Sequence, residues 1–186
     1  MKKCSKSQIL GLIIVLFTFN FIYCASSTTQ NSTTTQSSTT TSLPSFLELA
    51  LGDNINYSLF TMNKKGKYQM KTPRMVNVFG RQPAGVVVEL DTSNKISVIY
   101  YYYGINGDFF SRNDIDKAIS FFNIKAAEMG LEIDVDIDSN SDEKQSIIKL
   151  GKNNQGIGMM MVAQSNEVGN FECTIVLFND FSKIIL

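Results

Sequence analysis

Glu132, Asp134, Asp136 and Asp138 alternate with Leu131, Ile133, Val135 and Ile137. In a strand, residues two apart share a face and lie about 6.5–7 Å from one another, so the four carboxylates are expected in one acidic row. Calcium is the obvious ligand for such a row outside a cell, and Asp134-x-Asp136-x-Asp138 opens as a helix-loop-helix calcium loop opens. The likeness then fails. Ser139 stands where that loop turns on glycine, and Gln145 where it closes on a bidentate glutamate. Asp134, Asp136 and Asp138 are therefore candidate metal ligands, while a solvated strand face that discourages edge pairing is the plainer use of the same acids. Pairs drawn from the four also have a spacing suited to the acid and base of glycoside hydrolysis.

The second candidate is aromatic. Tyr100, Tyr101, Tyr102 and Tyr103 run consecutively, so a strand sends Tyr100 and Tyr102 to one face and Tyr101 and Tyr103 to the other. The pair that avoids a covering helix offers flat rings with hydroxyl tips, a surface suited to a glycan or a protein partner. Met159, Met160 and Met161 divide in the same way and read as core filling. Lys64, Lys65, Lys67, Lys71, Arg74 and Arg81 make the first half of the domain basic, which a solvated hairpin tip explains and which weak polyanion binding would also use. Gly104-Ile105-Asn106-Gly107 lacks the Lys-Ser/Thr ending of a phosphate loop.

Composition narrows the chemistry further. The chain has no histidine, which removes the usual general base near neutral pH, imidazole metal ligands, and Ser-His or Cys-His nucleophile pairs. Lys plus Arg and Asp plus Glu balance at 17 each, unlike the basic excess of a nucleic-acid binder. No cofactor is implied, and catalysis is less expected than binding.

Lys2, Lys3 and Lys6 precede a nearly unbroken apolar run from Ile9 to Ala25, the pattern of a secretory signal cleaved after Cys24 or Ala25. An uncleaved anchor is the alternative, and with no Lys or Arg after the run until Lys64, either form carries the rest across the membrane. Residues 26–42 are entirely Ser, Thr, Gln and Asn, and read as a disordered tether. Asn31-Ser32-Thr33 and Asn56-Tyr57-Ser58 are N-glycosylation acceptor triplets, making Asn31 and Asn56 candidate modification sites. Of the three cysteines, Cys173 alone lies beyond the leader, so no internal disulfide is expected, and its alternation with Phe171, Ile175 and Leu177 makes it a small core residue.

These features must be positioned by a single α+β domain over 43–186. A short helix is expected at Ser45 to Leu51, stopped by Gly52, and strands at Ile55–Met62, Tyr68–Met70, Met75–Phe79, Gly85–Leu90 and Ile96–Tyr103. Ile115, Ala118, Ile119, Phe122, Ala126 and Met129 recur at helical spacing, with Ser111 and Asp114 as a capping box and Gly130 as the exit. Further strands are expected at Leu131–Asp138, Gln145–Leu150, Gly158–Ala163 and Phe171–Phe178. The prediction is a mainly antiparallel, curved β-meander sheet with one principal helix packed on one face. In element order alone, strand, helix and four strands, it resembles the cystatin-like arrangement, although the glutamine-valine-glycine hairpin signature of those inhibitors is absent. The expected function is a secreted or surface-displayed noncatalytic module that binds an extracellular protein or glycan. A histidine-free carbohydrate hydrolase and a carrier of a small apolar ligand are the alternatives. Neither nucleic acid nor membrane insertion after signal removal is expected.

Overall fold

The computed structural model describes residues 49–73, 78–105, 108–140, 144–181 and 184, all within a compact unit spanning Leu43–Ile184. The leader, the tether and most of the expected helix at Ser45 to Leu51 lie outside these residues, as do Asn31 and most of the expected strand from Met75.

Eight strands form one antiparallel sheet: β1 (Phe60–Met62), β2 (Tyr68–Met70), β3 (Gly85–Leu90), β4 (Ile96–Tyr103), β5 (Glu132–Asn140), β6 (Gln145–Lys152), β7 (Gly158–Ser165) and β8 (Phe171–Phe178). Their spatial order is β1-β2-β3-β4-β8-β7-β6-β5, so the sheet is open, with β1 and β5 at its edges. The first four strands form one meander. Helix α1 (Arg112–Glu128) then carries the chain to the far edge, and the second meander returns until β8 pairs with β4.

Hairpin tips set the local connections. At Asp91, Asn63, Asn153 and Asn166, the side-chain Oδ1 accepts from the backbone N–H groups two and four residues on. In each tip the fourth residue has a positive φ: Asn94 at 60°, and Gly66, Gly156 and Gly169 at 76°, 84° and 76°. An Asx turn followed by a left-handed residue twists the chain as the flanking strands require. The expected strand at Ile55–Met62 shortens to Phe60–Met62 because Asn56 begins another Asx turn, accepting from Ser58 N–H at 3.1 Å.

Helix α1 forms where the sequence supplies both the apolar stripe and the cap. Ser111 Oγ accepts from Asp114 N–H, and Asp114 accepts from the Ser111 backbone, closing the capping box. Ile115, Ala118, Phe122 and Ala126 are buried against β7 and β8. Gly130, at φ 62°, turns the chain out of the helix.

Register assigns each strand residue to a face. Val86, Val88, Ile99, Tyr101, Tyr103, Ile147, Met159, Met161, Ala163, Cys173, Ile175 and Leu177 join α1 in one apolar core. Val87, Val98, Tyr100, Ile148, Leu150, Met160, Val162, Val176 and Phe178 pair with one another across the opposite face and are also buried. Sheet residues buried on both faces explain why β3, β4 and β7 read as continuous apolar runs rather than alternating ones. Met159 and Met161 face the helix and Met160 the other side, as their alternation predicts.

Candidate functional site

The tyrosine run and the acidic row are both fixed by register, and their outcomes differ. In β4, Tyr101 and Tyr103 lie on the helix face, 0% and 1% exposed. Tyr103 packs against Phe79 and Phe110, with ring centroids 5.3 and 5.2 Å away. Burial raises the Tyr103 hydroxyl pKa, with the nearby Cys173 contributing. Both rings are core.

Tyr100 and Tyr102 lie on the opposite face and stack in parallel, with ring centroids 6.1 Å apart and planes within 4°. Tyr102 is opposite Gly85, where a built Cβ would touch its Cδ2 at 3.6 Å, so the absent side chain leaves the ring room to lie over β3. Tyr100 is 4% exposed, while Tyr102 is half-buried. The Tyr100 hydroxyl donates to Glu89 Oε1 at 2.7 Å, and Glu89 also forms an ion pair with Lys67. The Lys67 ammonium sits over the Tyr100 ring, 4.8 Å from its centroid. Burial raises the Tyr100 pKa, and the carboxylate of Glu89 adds to the rise. At neutral pH the phenol is therefore a fixed donor to a carboxylate.

On this face Thr61, Gln69 and Val87 align across β1, β2 and β3, and Tyr102 lies opposite Thr174 on β8. Glu172 and Gln164 pair in the next row, and burial raises the Glu172 pKa. The Tyr100–Tyr102 pair is thus flanked on this face by half-buried carboxylate, ammonium, amide and hydroxyl groups. Such a surface can offer hydrogen bonds and a stacking platform together.

Lys67 and Glu89 were not singled out from sequence as site residues. Lys67 reads from sequence as one of several basic residues, and Glu89 only as part of the strand Gly85–Leu90. They meet over Tyr100 only because β2, β3 and β4 are adjacent in the sheet.

The acidic row does not form as alternation predicts. A bulge between Ile133 and Val135 shifts the register of β5 on β6. Glu132 pairs with Lys152, on the face of Leu150 and Ile148, whereas Asp136 and Asp138 pair with Lys149 and Ile147 on the helix face. Asp134 occupies the bulge. The four acids therefore do not share a face, because one extra residue inverts the alternation.

Each aspartate instead meets a neighbour. Asp134 pairs with Lys152 at 2.7 Å. Asp136 receives both carboxylate contacts from Lys149 Nζ at 2.8 Å. Asp138 accepts from Gln145 Nε2 at 2.8 Å and lies 3.9 Å from Arg112. Among the described residues, no three Asp, Glu, Cys or His side chains converge as a metal site.

Cys173 is buried among the helix-face apolar residues, and burial pushes its thiol pKa up to about 12. A protonated, inaccessible sulfur is a packing group rather than a nucleophile. Of the other basic residues named from sequence, Arg74 lies outside the described residues, Lys71 Nζ donates to the Ser58 carbonyl at 2.8 Å, and Arg81 lies over the Phe110 ring and 3.7 Å from Asp108. The chain matches no known protein family, no curated protein and no solved structure.

Proposed function

We propose that this chain is a noncatalytic binding module, secreted or displayed on a surface, that recognises an extracellular glycan or protein through the sheet face opposite α1. One observation carries the reading. The Tyr100–Tyr102 stack is held in place by Glu89 and Lys67, and the half-buried Tyr102 shares its face with half-buried polar groups. A sugar ring stacks on such an aromatic plane while hydrogen-bonding to the groups beside it, and a protein loop uses the same pairing of ring and polar rim. Export rests on the basic, apolar leader, and the Ser/Thr-rich segment after it supplies the tether.

Glycan-array binding by the full secreted product, repeated on immobilised extracellular-matrix proteins, tests the proposal. Tyr102→Ala and Lys67→Ala are expected to weaken binding at least about tenfold, the range of one lost stacking or charge-assisted contact. Tyr57→Ala, at a separate exposed aromatic, should leave it unchanged. Binding indifferent to both Tyr102 and Lys67, or no binding to either class, removes the proposal.

A further inference from the structure

Asn56-Tyr57-Ser58 lies in the turn leading into β1, and all three residues are exposed. Tyr57 and Leu59 are 56% and 38% exposed, and Met62, within β1, is 58% exposed. The side chains within the triplet are already arranged. Asn56 Oδ1 accepts from Ser58 Oγ at 2.7 Å and from Ser58 N–H at 3.1 Å. The Leu59 N–H donates to the Asn56 carbonyl at 3.0 Å, closing the turn.

We infer that Asn56 is an N-glycosylation site whose acceptor geometry is preformed in the folded domain. With Oδ1 held by the serine hydroxyl and backbone, the carboxamide nitrogen is left directed away from those contacts. The hydrogen bonds to Oδ1 draw electron density toward the oxygen and polarise the amide for loss of an N–H proton. The co-substrate is an oligosaccharide linked to a polyprenyl diphosphate. A bond forms between Asn56 Nδ2 and the anomeric carbon of the sugar, the bond from that carbon to the diphosphate oxygen breaks, the polyprenyl diphosphate leaves, and one amide proton passes to a base of the transferase. No electrons are transferred.

Location supplies a second reason. The strand that follows, β1, stands at an edge of the sheet. Tyr57, Leu59 and Met62 add exposed apolar surface beside it. A hydrated glycan at Asn56 shields this edge from pairing with another chain, as charged side chains on β5 shield the other. The binding face around Tyr102 is left to a ligand.

The inference depends on the export proposed above, and the experiment separates the two. The full chain is expressed in a eukaryotic secretory host with its own leader and, in parallel, with residues 1–25 replaced by a signal peptide of proven function. Glycosidase treatment in heavy-oxygen water followed by peptide mass spectrometry reads occupancy at Asn56. Most Asn56 is expected to be occupied in both secreted products, with occupancy kept by Ser58→Thr and lost in Ser58→Ala. Unmodified Asn56 in a secreted product carrying the proven leader overturns the inference. Modification with that leader, together with cytosolic retention of the chain bearing its own leader, upholds the inference and removes the export reading.

Discussion

Replacing Gly104 by alanine tests whether the junction of the two meanders is as tightly determined as its geometry implies. Gly104 follows β4 with φ +76°, and a Cβ built there would collide with the Phe171 carbonyl oxygen and lie 3.0 Å from Glu172 Cα. These are backbone atoms of β8, and Phe171 is further tied to Phe110 by paired backbone hydrogen bonds of 3.0 and 2.8 Å. The obstacle cannot swing aside as a side chain would. A left-handed alanine costs about 1–2 kcal/mol, and forcing β8 outward adds about 1–3 kcal/mol. The total, about 2–5 kcal/mol, is a large share of the roughly 5–15 kcal/mol that holds a domain folded. Gly169 provides the control, since it shares φ +76° but has nothing within 4 Å of a built Cβ. Gly169→Ala should therefore cost the backbone part alone. With an m-value near 2 kcal/mol/M, urea unfolding followed by far-ultraviolet circular dichroism should show midpoints lower by about 1–2.5 M for Gly104→Ala and about 0.5–1 M for Gly169→Ala. Equal shifts would refute the steric argument, because the two sites differ in what surrounds the added methyl and not in φ.

Four further outcomes are open to measurement. Asp136→Ala strands the Lys149 ammonium, whose side chain is only 9% exposed, and should cost about 1–3 kcal/mol in urea unfolding, whereas Asp134→Ala opposite the 39% exposed Lys152 should cost less than about 1 kcal/mol; adding Lys149→Met to the first should restore stability. Asp91→Ala removes the acceptor for the Ser93 and Lys95 N–H groups and should lower stability by about 1–2 kcal/mol, with Asp91→Asn retaining most of it. Burial pushes the Asp114 pKa up, but the Ser111 hydroxyl and N–H, with Arg81 and Lys117, outweigh this and hold it below its ordinary 3.8. A depressed folded pKa contributes stability above that ordinary value, lost as pH falls through the folded one, so Ser111→Ala should flatten the acid limb of the stability profile below about pH 4. Cys173 should resist iodoacetamide at pH 8 in the native chain and react on addition of denaturant; rapid native labelling would contradict its burial.

The local readings and the tertiary ones fared differently for a physical reason. The helix was legible because its apolar stripe, capping serine and exit glycine are all short-range signals, and α1 starts beside the Ser111 cap. The hairpins were legible because Asn or Asp followed by a left-handed residue is a self-contained turn. The same kind of turn at Asn56 cut short the expected strand from Ile55, where apolar alternation had outweighed a local side-chain acceptor. On β5, alternation placed the strand correctly but misplaced its acids, because the bulge at Asp134 depends on how β6 pairs beside it.

What the amino-acid order alone determined is the α+β content, the antiparallel neighbours joined by tight turns, the core role of Cys173 and the opposed facing of alternate tyrosines. These follow from periodicity, turn chemistry and caps, which act over a few residues. The tertiary structure decided that β8 returns to β4, that Tyr101 and Tyr103 rather than Tyr100 and Tyr102 meet the helix, and that Lys67 and Glu89 gather at Tyr100. Strand order and register bring together residues far apart in the chain, and no local preference encodes which of two faces a crossing helix will cover.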